Sequence, residues 1–339
     1  MEARIRGDAS VDEVELLDRL TAVRSALESE IGRRVIGQHE IVEGLLTALL
    51  ADGHALLVGV PGLAKTLLVS TLAEALDLRF SRIQFTPDLM PTDITGTEVL
   101  EEDRSTGKRM FRFVRGPVFA NVILADEINR TPPKTQAALL QAMQERAVTA
   151  AGETMTLDRP FFVLATQNPI EQEGTYPLPE AQLDRFMLEL RIGYPTRAEE
   201  ERIAMETTGA EESEIRPVVD AEELLRLQKL VRRVPAPPSL VSLAVRLARS
   251  TRPDDEESPE MTRRYVSWGA GPRASQYLVL GAKARAAMAG RGVPNFDDVR
   301  AIAPAVLRHR VVTNFQAEAD GRTTGDLVDE LIQASRKWT

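Results

Sequence analysis

A run of eight residues, 59–66, combines glycines, a lysine and a threonine at a spacing suited to holding phosphate groups. It reads Gly-Val-Pro-Gly-Leu-Ala-Lys-Thr and matches the pattern Gly-x-x-x-x-Gly-Lys-Ser/Thr except at Ala64. In such a loop, backbone N–H groups and a helix N-terminus bind phosphate oxygens. Lys65 would reach the β and γ phosphates of ATP, and Thr66 would ligate Mg²⁺. A simple strand-to-helix turn with a surface lysine is the alternative.

Ala64 replaces the glycine that usually ends this pattern. We expect the substitution to be tolerated, because the residue opens a helix, where backbone angles can be ordinary. The residues predicted to hold the nucleotide phosphates are Gly59, Val60, Pro61, Gly62, Leu63, Ala64, Lys65, Thr66 and Leu67.

Two adjacent carboxylates, Asp126 and Glu127, directly follow the apolar run 122–125. Carboxylates at the end of a buried strand are costly to desolvate unless they have a cation or a chemical task. Asp126 is placed to hold Mg²⁺ through water, and Glu127 to orient the attacking water and take its proton. The alternative is that the pair only caps the following turn, which the phosphate loop upstream disfavours.

Three more polar residues stand at the ends of predicted elements. Asn168 follows the run 161–165, so it would emerge beside the acidic strand and hydrogen-bond the γ-phosphate or the attacking water. Arg185 precedes the run 187–192 at the rim of the sheet, where it can serve a neighbouring subunit's nucleotide. Arg273 opens a later helix and could reach back across the interdomain cleft to a γ-phosphate. An Asn-Pro turn, a local salt bridge and a solvated arginine are the respective alternatives.

These residues need a scaffold that brings strand ends together. Short apolar runs predict buried strands, and helical patterns separate them. Strands that alternate with helices imply a parallel sheet with helices on both faces and ligands at the carboxyl ends of the strands. The predicted strands cover residues 55–58, 122–125, 161–165 and 187–192, and the predicted helices between them cover 66–76 and 134–146.

Two hairpins interrupt this alternation. One pairs 97–100 with 110–114 around a turn at Ser105-Thr106-Gly107, and the other pairs 147–150 with 154–157 around Ala151-Gly152-Glu153. Both turns contain the glycine that hairpin turns favour.

The chain divides near residue 196. Helices at 11–31 and 39–51 precede the first strand, and after Pro195 no buried strand pattern occurs. We therefore predict an α/β nucleotide-binding core with a leading N-terminal helix over 1–196 and a smaller all-helical domain over 197–339. The helices predicted in the second domain cover 197–207, 220–232, 238–251, 273–289, 296–309 and 324–337.

Composition narrows the functional classes. The 339 residues include no cysteine, which excludes disulfides, thiolate metal sites and a cysteine nucleophile. A net charge of −9 makes nucleic acid an improbable partner, although an acidic chain can still contain a basic groove. Neither an apolar signal-peptide region nor a stretch of 18 apolar residues occurs, so we expect no membrane span and a cytoplasmic location.

The order of these motifs resembles that of AAA+ ATPases: phosphate loop, acidic pair, Asn-Pro, Arg-Phe, and a helical domain bearing an arginine. Within that class the chain looks like the MoxR family. The resemblance covers roughly residues 30–335 and is highly specific. The segments that carry it are 59–66, with alanine before lysine, 125–130, 131–136, 165–169 and 179–186.

The resemblance implies roles for particular residues. Val35, Ile36 and Gly37, followed by Gln38, would lie against the adenine. Asn168 would be the first sensor, Arg273 the second sensor and Arg185 the arginine finger. The 97–114 hairpin would be the insert in the second core helix, and the 147–157 hairpin would precede the first sensor.

The resemblance also implies cofactors and partners. MoxR-like proteins use ATP and Mg²⁺ and are thought to form hexameric rings. They act as chaperone-like remodellers of a client protein, in maturation or cofactor insertion, often with a partner that carries a von Willebrand factor A domain.

Two other functions remain as alternatives. A DNA motor of the minichromosome-maintenance type shares both hairpin inserts, but here 147–157 contains no lysine or arginine. In the first hairpin the basic residues stand beside acidic ones, which also disfavours a DNA motor: Arg104, Lys108 and Arg109 beside Glu101, Glu102 and Asp103.

The second alternative is a nucleotide-gated scaffold with little turnover, which would not need Glu127.

Overall fold

A computed structural model describes residues 11–102, 109–170, 174–209 and 213–338. The elements of its first part, in chain order, are α1 (Val11–Ile31), α2 (His39–Leu50), β1 (Ala55–Val58), α3 (Lys65–Ala75), β2 (Phe80–Gln84), α4 (Pro91–Thr95), β3 (Gly96–Glu102), β4 (Arg109–Arg115), β5 (Val122–Asp126), α5 (Pro133–Glu145), β6 (Ala147–Ala150), β7 (Glu153–Thr156), β8 (Phe162–Gln167), α6 (Glu180–Leu183) and β9 (Leu188–Arg191).

The second part is mainly helical. Its elements are α7 (Arg197–Thr207), α8 (Ala221–Arg233), α9 (Pro238–Arg249), α10 (Glu260–Tyr265), β10 (Val266–Trp268), α11 (Pro272–Met288), α12 (Phe296–Leu307), β11 (Val312–Thr313), α13 (Phe315–Ala319) and α14 (Thr324–Ser335).

A five-stranded sheet forms the centre of the molecule, in the order β2-β5-β8-β1-β9. All four pairings between neighbours are parallel. Every strand therefore ends at one edge of the sheet, here called the carboxyl edge, and begins at the opposite one, the amino edge. The predicted α/β fold with a parallel sheet is confirmed.

Strand β2 is missing from the sequence prediction. Among the strands that the structure describes it pairs only with β5, so it is an edge strand, and of its five residues only Ile83 is buried. Ser81, Arg82 and Gln84 leave no apolar run for sequence analysis to detect.

The sheet separates two apolar cores. Successive residues of a strand point to opposite faces, and in β1 Leu57 belongs to one core and Leu56 to the other. The Leu57 side is covered by α1, α2 and α3 and continues into the helices of the second part. The Leu56 side is covered by α4 and α5. Helices therefore lie on both faces, as predicted.

The two predicted hairpins are present. β3 pairs with β4 from Gly96 opposite Arg115 to Glu102 opposite Arg109. The predicted turn at Ser105-Thr106-Gly107 lies outside the described residues, as do Asp103, Arg104 and Lys108. β6 and β7 are joined by Ala151 and Gly152, whose φ angles are 56° and 78°. Two successive left-handed residues are typical of a tight hairpin turn.

The predicted helical character of the second part is confirmed, and the part also contains one short ladder that the sequence did not predict. β10 and β11 form a two-stranded antiparallel ladder that joins Val266 to Thr313. Strands of two and three residues are too short to produce a periodic pattern in the sequence. The six predicted helices are present within two residues of their expected ends, and the domain boundary near residue 196 stays a prediction.

The helical part packs directly on the α/β part. α1 contacts α3, α8 and α11, and α2 contacts α8 and α11. Helices α1 and α2 therefore link the sheet to the second part. Among the described residues, no helix is both long and apolar enough to cross a membrane.

Candidate active site

The phosphate loop, 59–66, joins β1 to α3 at the carboxyl edge of the sheet. The N–H of Gly59 donates to the carbonyl of Gln167 at 3.2 Å, which ties the loop to β8. Gly62 has φ 84°, and a Cβ there would meet no atom, so backbone angle rather than space favours glycine. Lys65 Nζ donates to the carbonyl of Gly59 at 2.6 Å. The ammonium therefore spans the loop, from its seventh residue to its first.

Ala64 corrects one expectation. Its backbone is left-handed, with φ 52° and ψ 28°, and it is the N-cap residue of α3. The expected ordinary angles are wrong, because the loop must reverse direction before the helix begins. For a residue with a Cβ this conformation costs about 1–2 kcal/mol. The cost gives a physical reason for the glycine that is usual at this position.

Asp126 is the last residue of β5, and its carboxylate is nearly buried. Oδ1 accepts a hydrogen bond from Thr166 Oγ1 at 2.7 Å. Oδ2 accepts from the Arg82 guanidinium, at 3.1 Å from Nε and 2.6 Å from NH2. The neighbouring strands β8 and β2 thus hold the carboxylate in place from both sides.

Glu127 follows in a left-handed conformation, with φ 57°. Its N–H donates to Thr166 Oγ1 at 2.8 Å, so this one hydroxyl contacts both members of the acidic pair. Its Oε2 accepts from Arg130 NH1 at 2.9 Å and from Gln84 Nε2 at 3.2 Å. Both contacts use Oε2, and Oε1 is the oxygen suited to accepting a proton from water.

The donor set suits Mg²⁺ bound together with a nucleotide. The ion prefers oxygen ligands, keeps several waters and usually takes one or two protein ligands plus substrate phosphates. Thr66 lies in the first turn of α3. A carboxylate has about four lone-pair positions, of which Asp126 uses three in the contacts above. Among the described residues no group of three or more His, Asp or Glu could hold an ion alone. Thr66 and Asp126 would need no such group, because nucleotide phosphates and water would supply the other ligands of the ion.

Asn168 directly follows β8, which lies between the acidic strand and the strand of the phosphate loop. The residue is 6% exposed. Its Oδ1 accepts from the N–H of Ile170 at 3.2 Å, so it forms the Asn-Pro turn considered as the alternative role. That contact fixes the amide, and no residue in the described part of the chain accepts a hydrogen bond from its nitrogen. The turn and the predicted phosphate contact are therefore compatible.

The segment predicted to contact adenine lies beside the phosphate loop. Val35 and Ile36 are buried, and Gly37 has φ 73°. A Cβ on Gly37 would come within 2.3 Å of Glu199 Oε1, so the turn passes close to α7. Gln38 Nε2 donates to the carbonyl of Leu63 at 3.4 Å. The structure thus brings this turn, the loop and the start of the second part together.

Arg185 lies at the opposite edge of the sheet. It precedes β9, and the N–H of Met187 donates to the carbonyl of His54, just before β1, at 2.8 Å. The half-buried Arg185 therefore sits at the amino edge. The four residues of β1, at about 3.3 Å each, separate the two edges by about 13 Å. This chain's own phosphate loop lies at the far edge.

Arg273 also lies at the amino edge, which corrects the expectation that it faces its own cleft. It sits in the first turn of α11, and its NH1 donates to Asp184 Oδ2 at 3.0 Å. Asp184 directly precedes Arg185. The packing of α11 against the core thus turns Arg273 away from Lys65 and places it beside Arg185.

Sequence analysis missed four residues that contact either the acidic pair, Asp126 and Glu127, or Asp184 beside Arg185. Arg82 and Gln84 lie on the undetected strand β2, and Arg130 follows the acidic pair in a 3-10 turn. The sequence signal for Arg130 is its position three residues after Glu127. Arg310, from the turn that follows α12, contacts Asp184 from the second part, and no sequence signal points to it.

Comparison with known proteins shows similarity across most of the chain. Residues 54–188 match the family described as "ATPase family associated with various cellular activities (AAA)", and residues 259–331 match an AAA lid domain. Chaperone MoxR1 of Mycobacterium tuberculosis is 43% identical over 304 residues, which cover 90% of this chain and 79% of that protein. The YeaC protein of Bacillus subtilis is 42% identical over 306 residues, covering 90% and 91%.

Two further matches agree with these. Protein MoxR of Methylorubrum extorquens is 32% identical over 318 residues, covering 91% of this chain and 92% of that protein. The crystal structure of a proposed ATPase from Cytophaga hutchinsonii superimposes with a TM-score of 0.87 at 40% identity, covering 94% of this chain and 96% of that one.

Proposed function

Because this chain belongs to the MoxR family of AAA+ ATPases, we propose that it remodels a client protein in a ring whose nucleotide sites are each completed by the next subunit. ATP hydrolysis is the activity of this family, and the chain is an ATPase. The proposal concerns which residues carry out each part of ATP hydrolysis and which process the hydrolysis drives.

In the proposed site, each chain supplies the phosphate-binding and water-activating groups from its carboxyl edge. Lys65 binds the β and γ phosphates, and Thr66 and Asp126 hold Mg²⁺, which neutralises charge on the phosphates. Glu127 takes the proton of the attacking water, and Asn168 donates to the γ-phosphate. The contacts of Arg130 and Gln84 with Glu127 support this division, because they orient its carboxylate.

The observation that carries the proposal is the separation of Arg185 and Arg273 from Lys65. Both arginines lie at the amino edge, across the height of the sheet from the chain's own phosphate loop. An arginine that faces away from its own nucleotide can still act on one bound by an adjacent chain. Arginines supplied in trans stabilise the charge that develops on a transferring phosphoryl group.

The biological role rests on the relatives. One of them is named a chaperone, which supports a remodelling function. We propose a hexameric ring, cytoplasmic in location, that couples hydrolysis to maturation of a client or insertion of its cofactor. A partner with a von Willebrand factor A domain would connect ring and client. Copurification from the native host tests the partner and the client directly.

Mixing two inactive variants tests the shared site. Lys65→Ala loses its own nucleotide site but keeps its arginines, whereas Arg185→Ala keeps the nucleotide site. In an equal mixture, about a quarter of head-to-tail interfaces join an intact site to an intact arginine. ATPase activity should therefore return in part.

The matched control mixes Arg185→Ala with the double variant Lys65→Ala/Arg185→Ala, which offers no intact arginine and should stay inactive. Native mass spectrometry establishes that the variants co-assemble. A co-assembled mixture of the single variants without activity would refute action in trans. Full activity of a demonstrably monomeric sample would refute it as well.

A further inference from the structure

A cavity of about 310 Å³ opens at the amino edge of the sheet, between the α/β part and the helical part. Its wall is strongly basic, although the chain as a whole carries a net charge of −9. The charged residues that line it are four arginines and two acids: Arg146, Arg185, Arg232 and Arg273, with Asp52 and Glu145.

Two of the four arginines have carboxylate partners. Arg146 NH2 donates to Asp52 at 2.7 Å, and Arg273 NH1 donates to Asp184 at 3.0 Å. Within the part of the chain that the structure describes, no residue pairs with the guanidinium of Arg185 or of Arg232. Arg232 is therefore an unpaired cation in the same cavity as the proposed arginine finger.

The backbone of Arg232 is well fixed although its side chain is exposed. The residue lies in the last turn of α8, and its carbonyl accepts a hydrogen bond from Lys283 Nζ at 3.2 Å. Burial raises the pKa of Tyr277, and nearby arginines, Arg232 among them, oppose that rise. Arg232 thus lies within electrostatic reach of Tyr277, whose hydroxyl donates to the Arg185 carbonyl at 3.4 Å.

Unpaired like charges around one cavity repel each other, and the repulsion is relieved when an anion binds between them. Arginine suits phosphate in particular, because its planar fork donates two parallel hydrogen bonds to a pair of phosphate oxygens. A triphosphate offers several such pairs. Arg185 and Arg232 together therefore fit a polyphosphate better than a single carboxylate.

We propose that Arg232 is a third arginine, beside Arg185 and Arg273, that binds the phosphates of the ATP held by the adjacent subunit. This inference rests on the proposed function, in which that subunit's phosphate loop faces the amino edge. Because Arg232 lies on α8 in the helical part, the neighbouring site is complete only when α8 is in the right position.

Arg232→Ala tests the inference, with Arg233→Ala as a matched control. Both arginines lie in the exposed last turn of α8, but only Arg232 lines the cavity. Loss of a charge-assisted phosphate contact should lower ATP turnover on the order of ten- to a hundredfold. Arg232→Lys should fall between parent and Arg232→Ala, because it keeps the charge without the fork. Arg233→Ala should hydrolyse ATP like the parent, and all variants should assemble.

Complementation separates this inference from the proposed function. Arg232→Ala mixed with Lys65→Ala should regain activity, as Arg185→Ala does. Turnover of Arg232→Ala within about twofold of the parent, while the Arg185→Ala mixture recovers, would overturn this inference alone. An equal defect in Arg233→Ala would also overturn it. If Arg232→Ala instead lost oligonucleotide binding while its ATP turnover stayed unchanged, the cavity would be assigned to nucleic acid and the inference would be overturned as well. Failure of the Arg185→Ala mixture would instead overturn the shared site itself.

Discussion

The Arg310 guanidinium and the Asp184 carboxylate form an ion pair that joins the helical part to the segment bearing Arg185. Arg310 Nε donates to Asp184 Oδ1 at 2.8 Å. Its NH2 donates to the carbonyls of Asp184, at 2.9 Å, and Phe186, at 2.6 Å, on either side of Arg185. The Arg310 side chain is only 1% exposed and that of Asp184 is 29% exposed, so the arginine is shielded from solvent and the carboxylate only partly so.

Arg310→Met should therefore weaken both the fold and the activity. Arg310→Met removes the buried guanidinium that donates to the carbonyls of Asp184 and Phe186, while Asp184 keeps Arg273 as an ion-pair partner. A buried acceptor left without a donor costs about 1–3 kcal/mol. We therefore expect the free energy of unfolding to fall by about 3 kcal/mol, with a loss of ATP turnover as Arg185 loses its support. Urea unfolding and steady-state ATPase assays measure the two effects.

Arg308→Met is the control for this change, because Arg308 lies in the same 3-10 turn and its buried Nε has no hydrogen-bond partner among the described residues. It should change stability much less. Equal stability of Arg310→Met and the parent would show that the ion pair does not hold the two parts together.

Glu127→Gln should separate binding from hydrolysis. The amide has nearly the same shape and can still accept from Arg130, but it cannot accept a proton from water. Turnover should fall on the order of 10²–10⁴-fold, while ATP affinity stays near that of the parent. Lys65→Ala gives the opposite pattern, with weakened binding, because a charge on the phosphates is lost. Equilibrium binding of a fluorescent ATP analogue, beside turnover, distinguishes them. Parental turnover in Glu127→Gln would mean that another group takes the proton.

Ala64→Gly should stabilise the protein. The left-handed backbone of Ala64 costs about 1–2 kcal/mol, and glycine removes that cost at some expense in chain entropy. We expect a net gain of up to about 1 kcal/mol in the free energy of unfolding, with ATP still bound. The exposed Ala204 lies within α7, where the same change should destabilise by about 1 kcal/mol. Thermal unfolding of both variants tests the difference in sign, and a loss of stability in Ala64→Gly would contradict it.

The buried His54 should make stability depend on pH. Burial lowers its pKa to about 4, from an ordinary value of 6.5. The unfolded chain therefore binds the proton first, so the stabilisation is present above pH 6.5 and is lost as the pH falls toward 4. The loss amounts to about 1.4 kcal/mol per pH unit for this group. His309, also buried, has a pKa lowered in the same direction, mainly by burial.

Urea unfolding at pH 7 and pH 5 measures this dependence. His54→Gln should reduce it, whereas the exposed His39, changed to Gln, should leave it as it is. A parental slope in His54→Gln would show that other groups cause the dependence.

The sequence indicates features that depend on neighbouring residues and does not indicate features that depend on contacts between distant ones. The phosphate loop, Asp126, Glu127 and Asn168 are each contiguous with a buried strand, so local pattern and parallel-sheet geometry place them at one edge. Strand β2 escapes detection because an edge strand needs no apolar run. The orientation of Arg273 depends on how α11 packs against the core, a long-range contact that no local pattern encodes.

The separation of Lys65 from Arg185 by the height of the sheet also constrains symmetry. If one surface supplies the phosphate loop and a different surface supplies the arginines, each contact between subunits is head to tail rather than two-fold. A closed ring of n subunits then contains n complete sites, whereas an open chain of n contains n − 1. An open dimer would hydrolyse ATP at about half the rate per subunit of a closed ring. Turnover per subunit therefore reports whether the ring is closed.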